Sequence, residues 1–308
     1  MDSRNHLCDR VLGRFATPSQ ISTMDGLPEP VGERHFLEPE QEFRIEVPFQ
    51  PKSTFKFVIQ KGTCELNGIE LAERTPYTFT DGGLKLALYT WHGCVIEFEC
   101  YLNRAPYIAN DTVCNTVYVN THAQLEALRD TAQANGTEGP RVLVCGPKDF
   151  GKTSIVKTLV AYAVKVGRVP MCVDLDPSDN WLTIPGTLSA CPIRKIEPEE
   201  FATMGIPIDA TPLTLWHGDA QPIPDLFQAQ VTAIAENIDK RLANDAWEQS
   251  SGIIVNTNGW IEDDGFKMLW HSILALRISV VLVVGHDSLY HMIQSELDKT
   301  DFVVKNIK

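Results

Sequence analysis

VCGPKDFGKTS, residues 144–154, is the stretch from which the rest of the sequence is read. Two glycines, Gly146 and Gly151, frame four residues and are followed by Lys152 and Thr153, matching GxxxxGK[ST] throughout. An apolar run, RVLVC, precedes the loop, and KTSIVKTLVAYAVKV follows it. Strand, glycine-bounded loop and helix are the setting this motif needs. There, successive backbone N–H groups cup a β-phosphate at the helix N-terminus. Lys152 is placed to bridge β- and γ-phosphates, and the Thr153 hydroxyl is placed for Mg²⁺. Gly146, Pro147, Lys148, Asp149, Phe150, Gly151, Lys152, Thr153 and Ser154 are the expected phosphate contacts. A phosphate grip does not by itself say whether the nucleotide is consumed.

Working outward, residues 141–308 alternate strand and helix. The predicted strands are RVLVC, VPMCVDLD, GIIVNT, ISVVLVV and the terminal FVVKNIK. Between them lie helical patterns in KTSIVKTLVAYAVKV, LFQAQVTAIAENIDKRLA, GFKMLWHSILALR and LYHMIQSELDK. Apolar strands without alternation, separated by helices, predict an α/β fold: a mostly parallel P-loop NTPase-like sheet with helices on both faces. Residues 37–108 read differently, as short strands between Gly-rich or polar turns, and predict a small all-β sandwich or barrel with Tyr89, Trp91 and Phe98 in its core. Residues 109–140 are expected to connect the two through a strand, VYV, and a helix capped by Thr121. Residues 1–36 lack a period and read as a mobile N-terminal arm.

The chain has 308 residues, 44% apolar, with a net charge of −13. That field repels phosphates, so a nucleic-acid ligand needs a local basic patch, and none is legible as a stripe. No DNA role is expected. The apolar runs are far shorter than the roughly 20 residues a spanning helix needs, so no membrane role is expected either. None of the eight cysteines forms a CxxC pair, and several sit in apolar runs, which reads as reduced and intracellular.

Two further stretches belong with the loop. VPMCVDLDP places Asp174 and Asp176 at the end of a neighbouring strand, where a carboxylate holds the water shell of Mg²⁺. Asp176 is nearer the strand end. IIVNTNGW ends another strand in Asn256, Thr257, Asn258, Gly259 and Trp260, where ligands bind in open α/β sheets. Trp260 fits equally as a stacking platform for a base or as a plug beneath a loop.

These residues carry a likeness. The order is Gly62-Thr-Cys-Glu65-Leu-Asn-Gly68-Ile-Glu70-Leu71, YTWHGC at 89–94, VYVNTHAQLE at 117–126, the phosphate loop, VDLDPSDNWLTIPGT, and VNTNGW. Over residues 38–308 this resembles the Clp-type subunit of the pre-mRNA cleavage and polyadenylation machinery, in the polyribonucleotide 5'-hydroxyl kinase family. The resemblance implies ATP and Mg²⁺ as cofactors, a nuclear location, and other subunits of the 3'-end cleavage complex and RNA 5' ends as partners. It implies that Glu42 helps hold adenine, that Lys152 and Asp176 are catalytic, that Thr153 and Asp176 hold Mg²⁺, and that Trp260 contacts the terminal nucleotide. It also implies a lid carrying arginines and then a C-terminal domain, neither of which is found before Lys308.

The departures are specific. The family block E-L-D-V-G-Q is here Asp174-Leu-Asp176-Pro177-Ser178-Asp179. The threonine of F-G-x-T-x-P is Ala220, and that segment begins with His217. The cysteine of N-T-C-G-W is Asn258, and an aspartate expected after the last strand is Gly285. An intact loop in altered surroundings predicts an ATP-binding scaffold with little or no catalysis. The alternatives are an active RNA 5'-hydroxyl kinase and a different P-loop NTPase, the latter without an NKxD motif.

Overall fold

Alternation builds the first layer. The computed structural model describes residues 32–47, 54–79, 83–99, 106–109, 115–203, 205–206, 210–299 and 305–307. Most of the expected N-terminal arm, residues 1–31, lies outside them. Nine short strands follow: β1 (Glu33–Leu37), β2 (Gln41–Glu46), β3 (Phe55–Gly62), β4 (Cys64–Leu66), β5 (Ile69–Leu71), β6 (Pro76–Phe79), β7 (Lys85–Thr90), β8 (Cys94–Glu99) and β9 (Tyr107–Ile108). They form two sheets, ordered β1-β8-β3-β6 and β5-β4-β7-β2-β9. Phe43, Ile45, Phe55, Phe57, Leu88, Ile96 and Phe98 fill the space between, so this part is a sandwich. Residues 33–36, read from sequence as part of the arm, are instead most of β1, paired antiparallel with β8.

Of the three aromatic residues expected in this core, Phe98 is there. Tyr89 and Trp91 are not. Leu86 and Leu88 take the inward positions of β7, so period two turns Tyr89 to the opposite face, and Trp91 is half-buried on that side.

The second part begins with a helix where sequence predicted a strand. α1 (Asn115–Asn135) includes VYV and carries Thr121 in its interior. The β-branched pair at Val117 and Val119 suggested a strand, but packing overrides that preference. Leu125, Arg129 and Ala132 are buried on one side of α1. Then come β10 (Arg141–Cys145), α2 (Lys152–Lys165), β11 (Met171–Leu175), β12 (Thr187–Pro192), α3 (Pro198–Thr203), β13 (Leu213–Trp216), α4 (Pro224–Leu242), α5 (Ala246–Ser251), β14 (Ile253–Thr257), α6 (Asp264–Ala275), β15 (Val280–Val283), α7 (Asp287–Leu297) and β16 (Lys305–Ile307). The strand order is β13-β12-β11-β14-β10-β15-β16. Five of these strands run parallel in register with their neighbours. β12 runs antiparallel to β11 and to β13, which the sequence reading did not separate from the loops.

Both faces are covered. Leu143 and Cys145 pack with α4, α6 and α7, whereas Val142 and Val144 pack with α1 and α2. All five residues of β10 are buried. Among the described residues, no helix is long and apolar enough to cross a membrane.

Candidate nucleotide-binding site

The loop at the end of β10 is bent by its glycines and held by close neighbours. Gly146 has φ +153°, and a Cβ there would meet the Val284 carbonyl oxygen at 2.4 Å. Gly151, at φ +80°, is the N-cap of α2 and makes no side-chain cap, which leaves the first N–H groups of the helix free to receive an anion. Asp149 is also left-handed, at φ +65°. Lys152 is buried and its ammonium donates to the Pro147 carbonyl at 2.8 Å. Burial lowers its pKa, against the opposing pull of the Asp176 carboxylate.

The two aspartates separate in the structure. β11 ends at Leu175, so they do not share an extended strand. Asp174 is fully buried and accepts from Asp176 N at 3.0 Å, Trp181 N at 2.9 Å and Asn256 Nδ2 at 3.0 Å. Burial pushes its carboxyl up to about 7. Asp176 is half-buried, near Lys152, and one oxygen accepts from the Ser178 N–H and hydroxyl. Asn256 reaches both Asp174 and the Thr153 hydroxyl, the latter at 3.4 Å. Its own Oδ1 is buried without a partner. Asn256 turns its Nδ2 to Thr153 and Asp174, and the Thr153 hydroxyl and the half-buried Asp176 carboxylate are the hard-oxygen donor set there. Mg²⁺, which is bound through few protein ligands plus phosphate oxygens and water, fits it.

Gly259 explains the NTNGW turn better than its polar residues do. A Cβ at 259 would lie 2.5 Å from Lys148 N, so the β14–α6 connection runs against the backbone of the phosphate loop. Gly259→Ala is expected to push the loop aside. It should cost about 1–3 kcal/mol of stability, the range for overpacking, and weaken nucleotide affinity. Urea denaturation and calorimetry check the two effects, and unchanged values for both would show the contact to be unimportant. Trp260 resolves neither way completely: its ring lies against Gly265 at the start of α6, yet it keeps 38% exposure.

Two departures noted in the sequence have physical partners. Gly285 leaves room for Phe150, whose ring would sit 2.2 Å from a Cβ at that position. His217 is buried, with Nδ1 at 2.7 Å from Gln230 Oε1 and Nε2 accepting from Ile223 N at 3.0 Å. It anchors the 217–223 loop to α4. Ala220, Ser178 and Asp179 are exposed.

A cavity of about 670 Å³ lies between the sandwich and the loop. It brings Glu42, on β2, to the same space as Asp149, Phe150, Gly151 and Ser154. Glu42 pairs with Arg44 at 2.6 Å. Asp176 and Trp260 lie outside this lining, as do Gly146, Pro147, Lys148, Lys152 and Thr153 of the loop. Lys85, Tyr107, Tyr118 and Asn67 also line it and were missed in the sequence. Strand alternation held the signal for Lys85. It faces Glu46 across the β2–β7 pair, and Tyr89 faces Glu42, on the side away from Leu86 and Leu88.

The sequence and the fold are similar to those of known proteins. The family described as "mRNA cleavage and polyadenylation factor CLP1 P-loop" matches residues 146–308, and "N-terminal beta-sandwich domain of polyadenylation factor" matches 36–132. The chain belongs to the Clp1 family. It is 37% identical over 297 residues to "mRNA cleavage and polyadenylation factor clp1" of Aspergillus niger, covering 92% of this chain and 57% of that protein. It is 34% identical to "Polyribonucleotide 5'-hydroxyl-kinase Clp1" of Gallus gallus, covering 85% and 60%. A solved Clp1p–Pcf11p complex has the same fold, with TM-score 0.78 at 23% identity, over 89% of this chain and 65% of that one. This Clp1-family chain thus spans less than two thirds of the length of these relatives.

Proposed function

We propose that this Clp1-family chain is an ATP-binding scaffold of the nuclear pre-mRNA 3'-end cleavage and polyadenylation complex, with little or no phosphoryl transfer of its own. The observation that carries this is an intact phosphate loop facing a walled cavity, with altered residues at the positions around it. In this reading Glu42 and the other cavity residues receive the base and ribose. The loop N–H groups and Lys152 take the phosphates. Mg²⁺, when bound, neutralises phosphate charge, and Thr153 and Asp176 would hold it, with Asn256 beside them. Asp174, whose oxygens are occupied, positions Asn256 and the turn after β11. Protein partners are other subunits of the complex, and the relatives carry that role in their names.

Nucleotide acts here as a structural ligand. Glu42 is on the sandwich and Ser154 on α2, so a bound nucleotide ties the two parts together. A ligand that binds only the folded state adds RT ln(1 + [L]/Kd), about 2.7 kcal/mol at a hundredfold excess over Kd. Millimolar ATP·Mg²⁺ is therefore expected to raise the melting temperature by several degrees, as read by scanning fluorimetry. An unmoved curve would sink the reading.

The second reading is an RNA 5'-hydroxyl kinase. Lys152 beside Asp176 favours it, as does the name of the Gallus gallus relative. Phosphate transfer from ATP to RNA separates the two.

A further inference from the structure

A second cavity, of about 320 Å³, opens beside the first, where the Trp91–His92 turn meets α1 and α2. Glu65 and Tyr89 form part of the wall of both. Glu65 is 8% exposed. Its carboxylate accepts from Tyr162 Oη at 2.9 Å and Asn115 Nδ2 at 3.2 Å, and the Trp91 indole N–H is directed at it. These donors are all neutral. Lys165, the cation lining this cavity, pairs directly with Glu70 and acts on Glu65 only through its field. Burial raises the Glu65 pKa, the sign of a carboxylate whose charge is under-compensated. Next to it the rings of Tyr89 and Trp91 meet edge to face, with centroids 4.9 Å apart and planes at 85°. In such a pair the edge of one ring covers the face of the other, and Tyr89 is buried, so half-buried Trp91 is the aromatic wall left to meet a cation beside the buried carboxylate. Ring faces attract ammonium and guanidinium groups, and more so when the groups are desolvated.

We propose that this cavity is a cage for a basic side chain presented by a protein partner. Its size suits one side chain, being about half the volume of the nucleotide cavity. Its charged lining is Glu65 and Glu70 against Lys165, an excess of negative charge. That excess disfavours ligands that bring phosphate, which sets nucleic acid and phospholipid head groups aside. A bound ammonium or guanidinium adds a direct counter-charge to the distant one that Lys165 gives Glu65. Glu65 also faces the nucleotide cavity, so neutralising it makes that cavity less repulsive to phosphates. On the reading that ATP binds there, the basic side chain and ATP strengthen each other's binding, and by linkage the effect is reciprocal.

The test uses the whole chain, ¹⁵N-labelled at tryptophan, with the Trp91 indole signal assigned from Trp91→Phe. The probes are N-acetyl-lysine amide, N-acetyl-arginine amide, choline, phosphocholine and 3,3-dimethylbutan-1-ol, the last a neutral isostere of choline. The cations are expected to shift the Trp91 signal saturably, with affinity about tenfold or more above the neutral isostere. These variants lack the indole reporter, so binding to them is read on the choline methyl signal by saturation-transfer difference: Trp91→Phe should weaken choline binding several-fold, and Trp91→Leu should abolish it. Trp91 is not part of the nucleotide cavity. An ATP-induced melting shift retained in Trp91→Leu therefore shows a folded protein and separates this test from that of the nucleotide reading. Equal response to choline and its neutral isostere would overturn the cage, as would full binding in Trp91→Leu, or no shift at tens of millimolar. Phosphocholine binding more tightly than the amino-acid amides would overturn the protein-side-chain assignment.

Discussion

Incubated with radiolabelled ATP and 5'-hydroxyl RNA, the purified chain is expected to transfer phosphate about a hundredfold or more slowly than an active relative. Transition-state charge in phosphoryl transfer is met by positioned donors and cations, and losing one such group typically costs about a hundredfold or more in rate. Here Asp179 adds a carboxylate where the family resemblance has a neutral glutamine. Ala220 offers no hydroxyl where it has a threonine. Neither change disturbs the loop that grips phosphate, so binding should survive while turnover falls. Transfer at a comparable rate overturns the scaffold reading and promotes the kinase. If transfer is absent, the same assay on the protein in its native complex decides the cause. Activity regained there would assign the missing groups to a partner. Continued absence would assign them to the residues replaced in this chain.

Lys152→Ala is expected to weaken ATP·Mg²⁺ binding by roughly 1.5–3 kcal/mol, about 10- to 150-fold in Kd. Lys152 is already desolvated, and among the described residues its ammonium is hydrogen-bonded to the Pro147 carbonyl rather than to a carboxylate. Phosphate oxygens therefore replace a neutral acceptor with a charged one, and that gain is lost in the alanine variant. Calorimetry on both proteins, with circular dichroism as the check on folding, reads the effect. Equal affinities would remove the loop from the binding site.

Much of this was legible because local rules act alone there. The phosphate loop combines a motif with a strand before it and a helix after it, so residues 141–165 could be read without knowing their neighbours. β14 and β15 were legible as short apolar runs buried on both faces. α1 was misread at its start because Val117 and Val119 favour strands in isolation. What decides in favour of helix is burial of Leu125 and Arg129 against elements distant in sequence. Phe150 and Gly285 show the same limit. Gly285 stood out in sequence only as a missing aspartate, and its contact with Phe150 gives the glycine a physical reason. The two aspartates were placed at the right strand end, but which one turns inward depended on where β11 stops. Lys85 was missed although its strand alternates plainly, because the outward face of a small sandwich is ordinarily solvent and here it lines a cavity.

α1 has a mechanical consequence. It is 21 residues long, a rod of about 31 Å. One end is pinned to the sandwich through Asn115 and Glu65. Toward the other end, Arg129 donates to the Ser251 carbonyl, and Arg168 pairs with both Glu126 and Asp130. A strut fixed at both ends braces the joint between the two parts against bending. That bracing works against admitting a nucleotide as jaws would, by swinging one part away from the other. The buried Lys152 ammonium must also let go of Pro147 to reach a phosphate.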